Sequence, residues 1–417
     1  MRILLLIAVI LVIDFYVFQA VRFTVRNSSE TVTRWVYGIY WSITAFSVII
    51  LIAALLSDWQ TWNKAFRTYA FAFIFVSTFS KLFVIVFLLV DDLLRFIQWV
   101  FAKASGWFPS NEQMEIGKAN GITRHDFLVR TGLVVAAIPF VSLVWGMIKG
   151  AYDYHVKKSI VLLPGLPKAF EGFKIVQISD IHCGSFMNGE PLKEAVRIIN
   201  ELNADVVFFT GDLVNNHHDE AVPYSEILKE IKAVHGVYSI LGNHDYGDYV
   251  QWKSENEKKK NLESLIDLHR SMGWDVLLDE HRHIEKNGEK ITLLGVQNWS
   301  SHLRFPKYGS MKKATRNLQF STVNILLSHD PSHWKAEILK DYPKVDLMFA
   351  GHTHGMQFGV EIKGFKWSPV QYVYKEWAGL YKEGNQYLYV NRGLGFLGYP
   401  GRVGILPEIT VVELTQG

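Results

Sequence analysis

Residues 35–56 contain no charged side chain, residues 68–90 contain only Lys81, and residues 127–147 contain only Arg130. A helix needs roughly 20 mostly apolar residues to cross about 30 Å of hydrocarbon, and each of these stretches is long enough. Residues 3–21, interrupted by Asp14, form a fourth candidate; no small-residue cleavage site follows, so a retained helix is expected rather than a removed leader. After Ala151 the composition becomes that of a mixed globular domain. The 417-residue chain therefore reads as a transmembrane bundle of about four helices, residues 1–151, followed by an α/β domain, residues 152–417.

Asp14 and Lys81 lie at apparent membrane depth, where a charge is costly. No transport relay surrounds them, so pairing inside the bundle is the expected role. Residues 93–108 place Phe96, Trp99, Phe101, Trp107 and Phe108 among Arg95 and Lys103, a pattern that suits a helix lying in the membrane interface. Of the cations near the span ends, Arg22, Arg26, Arg34, Arg95, Lys103, Lys118, Arg124 and Arg130 fall on one side. Arg2, Lys64, Arg67, Lys149, Lys157 and Lys158 fall on the other. The richer side is expected in the cytoplasm, which puts the globular domain outside it. The run Thr123-Arg124-His125-Asp126-Phe127-Leu128 is similar to a twin-arginine export signal whose second arginine is His125.

The net charge of +3 is small for this length and no basic stripe is present, so no nucleic-acid partner is expected. Lys258, Lys259 and Lys260 read as a solvated helix face. The single cysteine, Cys183, excludes an intrachain disulfide and is expected to pack rather than react.

From Phe173 onward short apolar runs alternate with amphipathic segments. Strands are expected at 174–179, 205–210, 237–241, 291–296, 324–328 and 345–350, and helices at 191–202 and 224–234. Polar groups cluster where such strands end, the edge at which α/β folds build ligand sites. They are Asp180-Ile181-His182, Gly211-Asp212, Gly242-Asn243-His244-Asp245, Ser328-His329 and Gly351-His352-Thr353-His354. On an extended segment, residues two apart point the same way, so Asp180 with His182, and His352 with His354, are each expected to face one locus. Carboxylates and imidazoles without thiolates suit Mn, Fe or Zn rather than a structural zinc cage.

The set, in this order, resembles the calcineurin-like metallophosphoesterase superfamily over 173–414, with Tyr246, Gly247, the 389–395 segment and Pro407-Glu408-Ile409 as further matches. The resemblance implies a four-layer α-β-β-α sandwich and two divalent metal ions. One ion would be held by Asp180, His182, Asp212 and His354, the other by Asp212, Asn243, His329 and His352. It also implies that Asp212 bridges the ions, that the pair activates a water at neutral pH, and that His244 is the general acid.

Where protein phosphatases of this superfamily continue Gly-Asp-x-x-Asp-Arg, this chain has Asn215 and Asn216. The missing arginine removes a bidentate phosphate clamp and argues against protein-phosphatase activity. The Asn215 amide is expected to accept a hydrogen bond from His244. Met356 stands where a glycine is common after Gly-His-Thr-His-Gly. His217, with His218 beside it, and Arg392, with Arg402, are candidate substrate contacts, each weighed against a surface or structural role; His281 and His283 flank an expected turn at Asn287-Gly288.

Trp367 and Trp377, with Tyr372, Tyr374 and Tyr381, are expected to form an aromatic lip in the headgroup region that presents a lipid-linked substrate. The activity expected is hydrolysis of a phosphodiester or pyrophosphate bond at the bilayer. The alternatives are an anchored phosphomonoesterase or nucleotide phosphodiesterase for soluble substrates, and a catalytically silent scaffold or sensor.

Overall fold

The computed structural model describes residues 2–105 and 123–416. They divide into two compact units, the second beginning at Gly146.

Four helices are long and apolar enough to cross a membrane: α1 (Arg2–Thr24), α2 (Glu30–Leu56) and α3 (Lys64–Ser105) in the first unit, and α4 (Arg124–Ile148), whose last turn from Gly146 belongs to the second. Ser29 caps α2 through a bond from the Val32 amide. Thr123 and Asp126 exchange hydrogen bonds at the start of α4, with Arg26 paired to Asp126, so the run that resembles an export signal is a helix start here. α3 is one unbroken helix of 42 residues, about 63 Å long at 1.5 Å per residue. The expected interfacial helix is therefore not a separate element: no glycine or proline interrupts residues 88–105, and the helix continues through them. Trp107, Phe108 and Lys118 lie outside the described residues. Asp14 and Lys81 pair as expected, 2.6 Å apart, and the hydroxyls of Thr44 and Tyr40 bond the Asp14 carboxylate and carbonyl.

In the second unit β1 (His155–Leu162), β2 (Phe173–Ile178), β3 (Val206–Phe209), β4 (Val237–Ser239) and β5 (Trp274–Val276) come first. They are followed by β6 (Glu280–Lys286), β7 (Glu289–Gly295), β8 (Asn324–Leu327) and β9 (Leu347–Ala350). A small hairpin of β10 (Val360–Ile362) and β11 (Phe365–Trp367) precedes β12 (Gly379–Glu383), β13 (Gln386–Val390) and β14 (Glu408–Thr415). One sheet has the order β1-β14-β2-β3-β4-β5 and the other β12-β13-β9-β8-β7-β6.

The apolar faces of the two sheets meet in a core that includes Ile175, Phe208, Ile325, Phe349 and Val412. On the outer side of the first sheet, α5 (Glu190–Glu201) and the helix Glu255–Ser271 bury Leu192, Ile199 and Leu265. Short helical turns carrying Met311 and Trp334 cover the outer side of the second. This is the expected four-layer arrangement. The helix expected at 224–234 shortens to Ser225–Leu228. Leu228 and Ile231 still reach the core, so the apolar spacing is satisfied by turns.

Strands β2, β3 and β4 run parallel, as do β7, β8 and β9. The loops leaving their C-terminal ends carry all five polar groups.

Candidate metal centre

The expected ligands gather into two buried groups. Asp180, His182 and His354 form one, and Asp212, His329 and His352 the other. In the first, Nε2 of His182 lies 3.0 Å from Nε2 of His354, which is 3.2 Å from Oδ1 of Asp180. In the second, Nε2 of His329 is 3.2 Å from Oδ2 of Asp212, and Nδ1 of His352 is 3.2 Å from Nε2 of His329. Oδ2 of Asp212 is also 3.7 Å from Nε2 of His182, so this one oxygen is within reach of both groups. The Asn243 amide adds its Oδ1, 3.1 Å from His329 and 2.8 Å from His352, while its NH₂ donates to the Tyr249 hydroxyl and fixes which end points inward.

Ring nitrogens facing one another at 3 Å, with carboxylate and amide oxygens and no sulfur, form a donor set that suits divalent transition metals. Three of the four histidines are steadied from behind, while Nδ1 of His182 is buried without a hydrogen-bond partner among the described residues. His329 Nδ1 bonds the Thr210 carbonyl, His352 Nε2 the Tyr374 hydroxyl, and His354 Nδ1 the guanidinium of Arg402. Such outer contacts set the tautomer and aim the inner nitrogen. Burial lowers His182 to about 3 and His352 to about 4, leaving both rings neutral and able to ligate. Burial would also lower His329, but the Asp212 carboxylate beside it raises it to about 10. Burial would raise the Asp212 carboxyl, and the facing histidines, His329 foremost, hold it well below its usual value.

The convergence is achieved differently from the extended alternation expected. Asp180, His182, Asp212, His352 and His354 all have positive φ, a left-handed backbone that costs most residues about 1–2 kcal/mol. Tight turns, not a strand, aim these side chains, and they send His352 and His354 to different groups. Close approach matters as well. A Cβ on Gly242 would lie 2.2 Å from Oδ1 of Asp212, and one on Gly351 would lie 2.2 Å from Oδ2 of Asp180. Asp245 ties the loops together by accepting from the amides of Gly242, Asp212, Leu213 and Val214.

His244 stands beside the first group, its ring 5.0 Å from that of His182. Its Nδ1 bonds the backbone carbonyl of Asn215 at 2.8 Å, not the side chain as expected; the Asn215 amide turns to Ser185 instead. Of the other expected polar substrate contacts, His217 and Arg392 are not brought to the centre. His217 is exposed, its ring packs at a tilt against Trp252, and its backbone amide donates to Glu220. Arg392 is buried and neutralised by Glu408 and Glu361, its nearest strong acceptors. Arg402 is buried as well; its guanidinium meets His354 and the carbonyls of Gly393 and Gly395. Burial lowers it to about 10, which leaves it charged at neutral pH.

The aromatic lip is also corrected. Trp377 and Tyr374 are buried with Val370 and Ile405 because the domain's own small core consumes these two rings; Trp367 is half-buried outside that cluster, and Tyr372 stays exposed. Asp330, Tyr374 and Tyr249, which support the ligands, carry no motif. Only the position of Asp330 next to His329 marked it.

Residues 1–151 match a family model described as "Probable Calcineurin-like phosphoesterase, transmembrane domain". Residues 173–356 match the model for "Calcineurin-like phosphoesterase". The chain is 34% identical over 272 residues to the metallophosphoesterase YkuE of Bacillus subtilis, covering 63% of this chain and 84% of that one. It is 30% identical over 294 residues to a "Transmembrane protein with metallophosphoesterase domain" of Danio rerio, covering 69% of this chain; it spans 63% of the length of that protein. It is 27% identical over 308 residues, 63% of this chain and 89% of the other, to the "UDP-2,3-diacylglucosamine pyrophosphatase LpxG" of Chlamydia muridarum. The fold, the donor set and these similarities agree: the chain belongs to the calcineurin-like metallophosphoesterase family, in a membrane-bound form. It is a phosphoester hydrolase of a family that uses divalent metals.

Proposed function

We propose that the enzyme, with a membrane part over residues 1–151 and a catalytic part over residues 152–417, hydrolyses a phosphodiester or pyrophosphate bond in a lipid-linked substrate. Asp180, His182, Asp212 and His354 would hold one ion, and Asp212, Asn243, His329 and His352 the other, with Mn, Fe or Zn suited to the donors. When bound, the ions polarise phosphoryl oxygens and acidify a water. His244 is the proton donor to the leaving group: the Asn215 carbonyl holds its Nδ1–H, so Nε2 is the atom that delivers. Asn215 and Asn216 provide no arginine clamp, which disfavours protein phosphatase activity.

The observation that carries the lipid-linked reading is an exposed apolar surface on the loops leaving the metal ligands. Met356, two residues after His354, is held outward at φ 54°. The hairpin and following turn expose Ile362 (64%), Phe365 (54%), Tyr372 (77%) and Val373 (61%), with Lys363 and Lys366 beside them. Apolar tips flanked by lysines suit a headgroup interface. The relative LpxG bears the name of a pyrophosphatase for a diacylated sugar nucleotide, which supports the same class.

Replacing Ile362 and Phe365 together with serine tests it. Hydrolysis of a bilayer-embedded lipid diphosphate is expected to fall about tenfold, as expected for losing partial burial of two such side chains. A soluble aryl phosphodiester should be affected far less. Equal losses on both would favour an enzyme for soluble phosphoesters. The arginine-rich loops support an extracytoplasmic catalytic domain, and a C-terminal reporter active only in the cytoplasm would overturn that placement.

A further inference from the structure

The segment from β7 to the turn at Met311 forms a loop that leans over the second ligand group. Its base is closed by Asn298, whose carbonyl accepts from the amides of Tyr308 and Gly309 and whose amide donates to the Pro306 carbonyl. Two rings of the loop rest on the centre: Phe305 stands edge-on to His352 with centroids 4.5 Å apart, and His302 lies 4.7 Å from Tyr374. Between these two rings in sequence are Leu303, fully exposed, and Arg304.

Arg304 is exposed and makes no ion pair with a carboxylate among the described residues; its guanidinium lies 5.9 Å over the ring of Phe305. The ring beneath it, Phe305, is the one that stands edge-on to His352. The cation therefore stands at the rim of the second ligand group, stacked but not neutralised. The same chain lacks the arginine that the second motif supplies in protein phosphatases, with Asn215 and Asn216 in those places.

We propose that Arg304 binds a second phosphoryl group of the substrate, so that the preferred substrates are diphosphate diesters rather than isolated phosphodiesters. The inference rests on the phosphodiester-or-pyrophosphate reading above and selects within it. In the reaction, water oxygen bonds to the phosphorus held at the ligand groups. The P–O bond to the bridging oxygen breaks with its electron pair on the leaving phosphate, which takes a proton from His244 as water loses one to solvent. The departing phosphate gains negative charge as the bridge breaks, and a guanidinium meets two of its oxygens at once. Leu303 would place an apolar contact next to that phosphate, where the remainder of the molecule begins.

The test uses the full chain in detergent with Mn. Hydrolysis of bis(4-nitrophenyl) phosphate serves as reporter, and inhibition by methylenediphosphonate and by methylphosphonate is measured within each variant, so changes in reporter turnover cancel. In Arg304→Ala the advantage of methylenediphosphonate over methylphosphonate should shrink about tenfold or more, and Arg304→Lys should fall between, having charge without the fork. An unchanged ratio in Arg304→Ala would overturn the assignment. If wild type cleaves no P1,P2-diphenyl diphosphate yet the ratio shifts as expected, Arg304 stands as a second-phosphoryl contact and the diphosphate substrate is rejected.

Discussion

The hydroxyl of Tyr374 lies 2.9 Å from Nε2 of His352 while donating to Oδ2 of Asp330 at 3.1 Å, which leaves Nδ1 of the same ring facing Asn243 and His329. A hydroxyl that donates to the carboxylate accepts from Nε2–H, so the inward nitrogen keeps its lone pair.

Tyr374→Phe should therefore weaken metal binding at the second group by about 10-fold to 100-fold, as loss of an outer contact does elsewhere, while the ring still fills its pocket. Metal titration should show wild type binding two ions per chain and the variant binding its second ion more weakly. Equal affinities would show that the hydroxyl does not aim His352.

Asp212→Asn and His244→Ala should both remove most turnover, for different reasons. Asp212 reaches both ligand groups, so its loss should release metal from both, seen by elemental analysis. His244→Ala should keep its metals and lose about 100-fold to 10,000-fold on a substrate with a poor leaving group, with a smaller defect on an activated aryl ester. Normal turnover of the poor leaving group would remove His244 from the role of proton donor.

Asn215→Ala should keep most activity, because the group that holds His244 is the backbone carbonyl of residue 215. The measurement is kcat on a substrate whose leaving group needs a proton. A loss as large as that of His244→Ala would return the role to the amide.

His269 gives a pH dependence away from the centre. It is buried beside Phe209 and Trp274 with only Ser239 bonded to Nδ1, and burial lowers it from 6.5 to about 3. The unfolded chain takes up a proton below pH 6.5 and the folded one does not until about pH 3. Stability from this group is thus present above pH 6.5 and is lost as pH falls towards 3, by at most about 1.4 kcal/mol per pH unit. Comparing the Tm of wild type and His269→Gln from pH 7 to pH 5 should show the gap between them narrowing with acid; a constant gap would refute it.

Strand ends and the residues that gather into the two groups were legible because apolar runs stop and an Asp, His or Gly begins. β1 was not, since residues 155–162 alternate weakly and pair only at the sheet edge with β14, a partner some 250 residues later in sequence. The left-handed turns at Asp180 and His352 were illegible because positive φ is uncommon for any non-glycine residue; aspartate and histidine tolerate it better than most, so the surrounding structure and not the residue type decides where it occurs. The aromatics near Trp377 misled for a related reason: a ring that suits a headgroup interface equally suits a small core. What put Trp377 inside was Gly355, whose missing side chain makes room for it.

Arg402 has a second attachment. Its amide donates to the carbonyl of Gly146, and its own carbonyl sits where a Cβ on Gly150 would be 2.1 Å away. The same residue holds His354 through its guanidinium. The first few residues of the second unit are thus the footing on which a metal ligand stands. A catalytic fragment trimmed to start at His155 would lack that footing however complete its sheets, and a bulky side chain at Gly150 would act as a wedge driven at the centre from outside it.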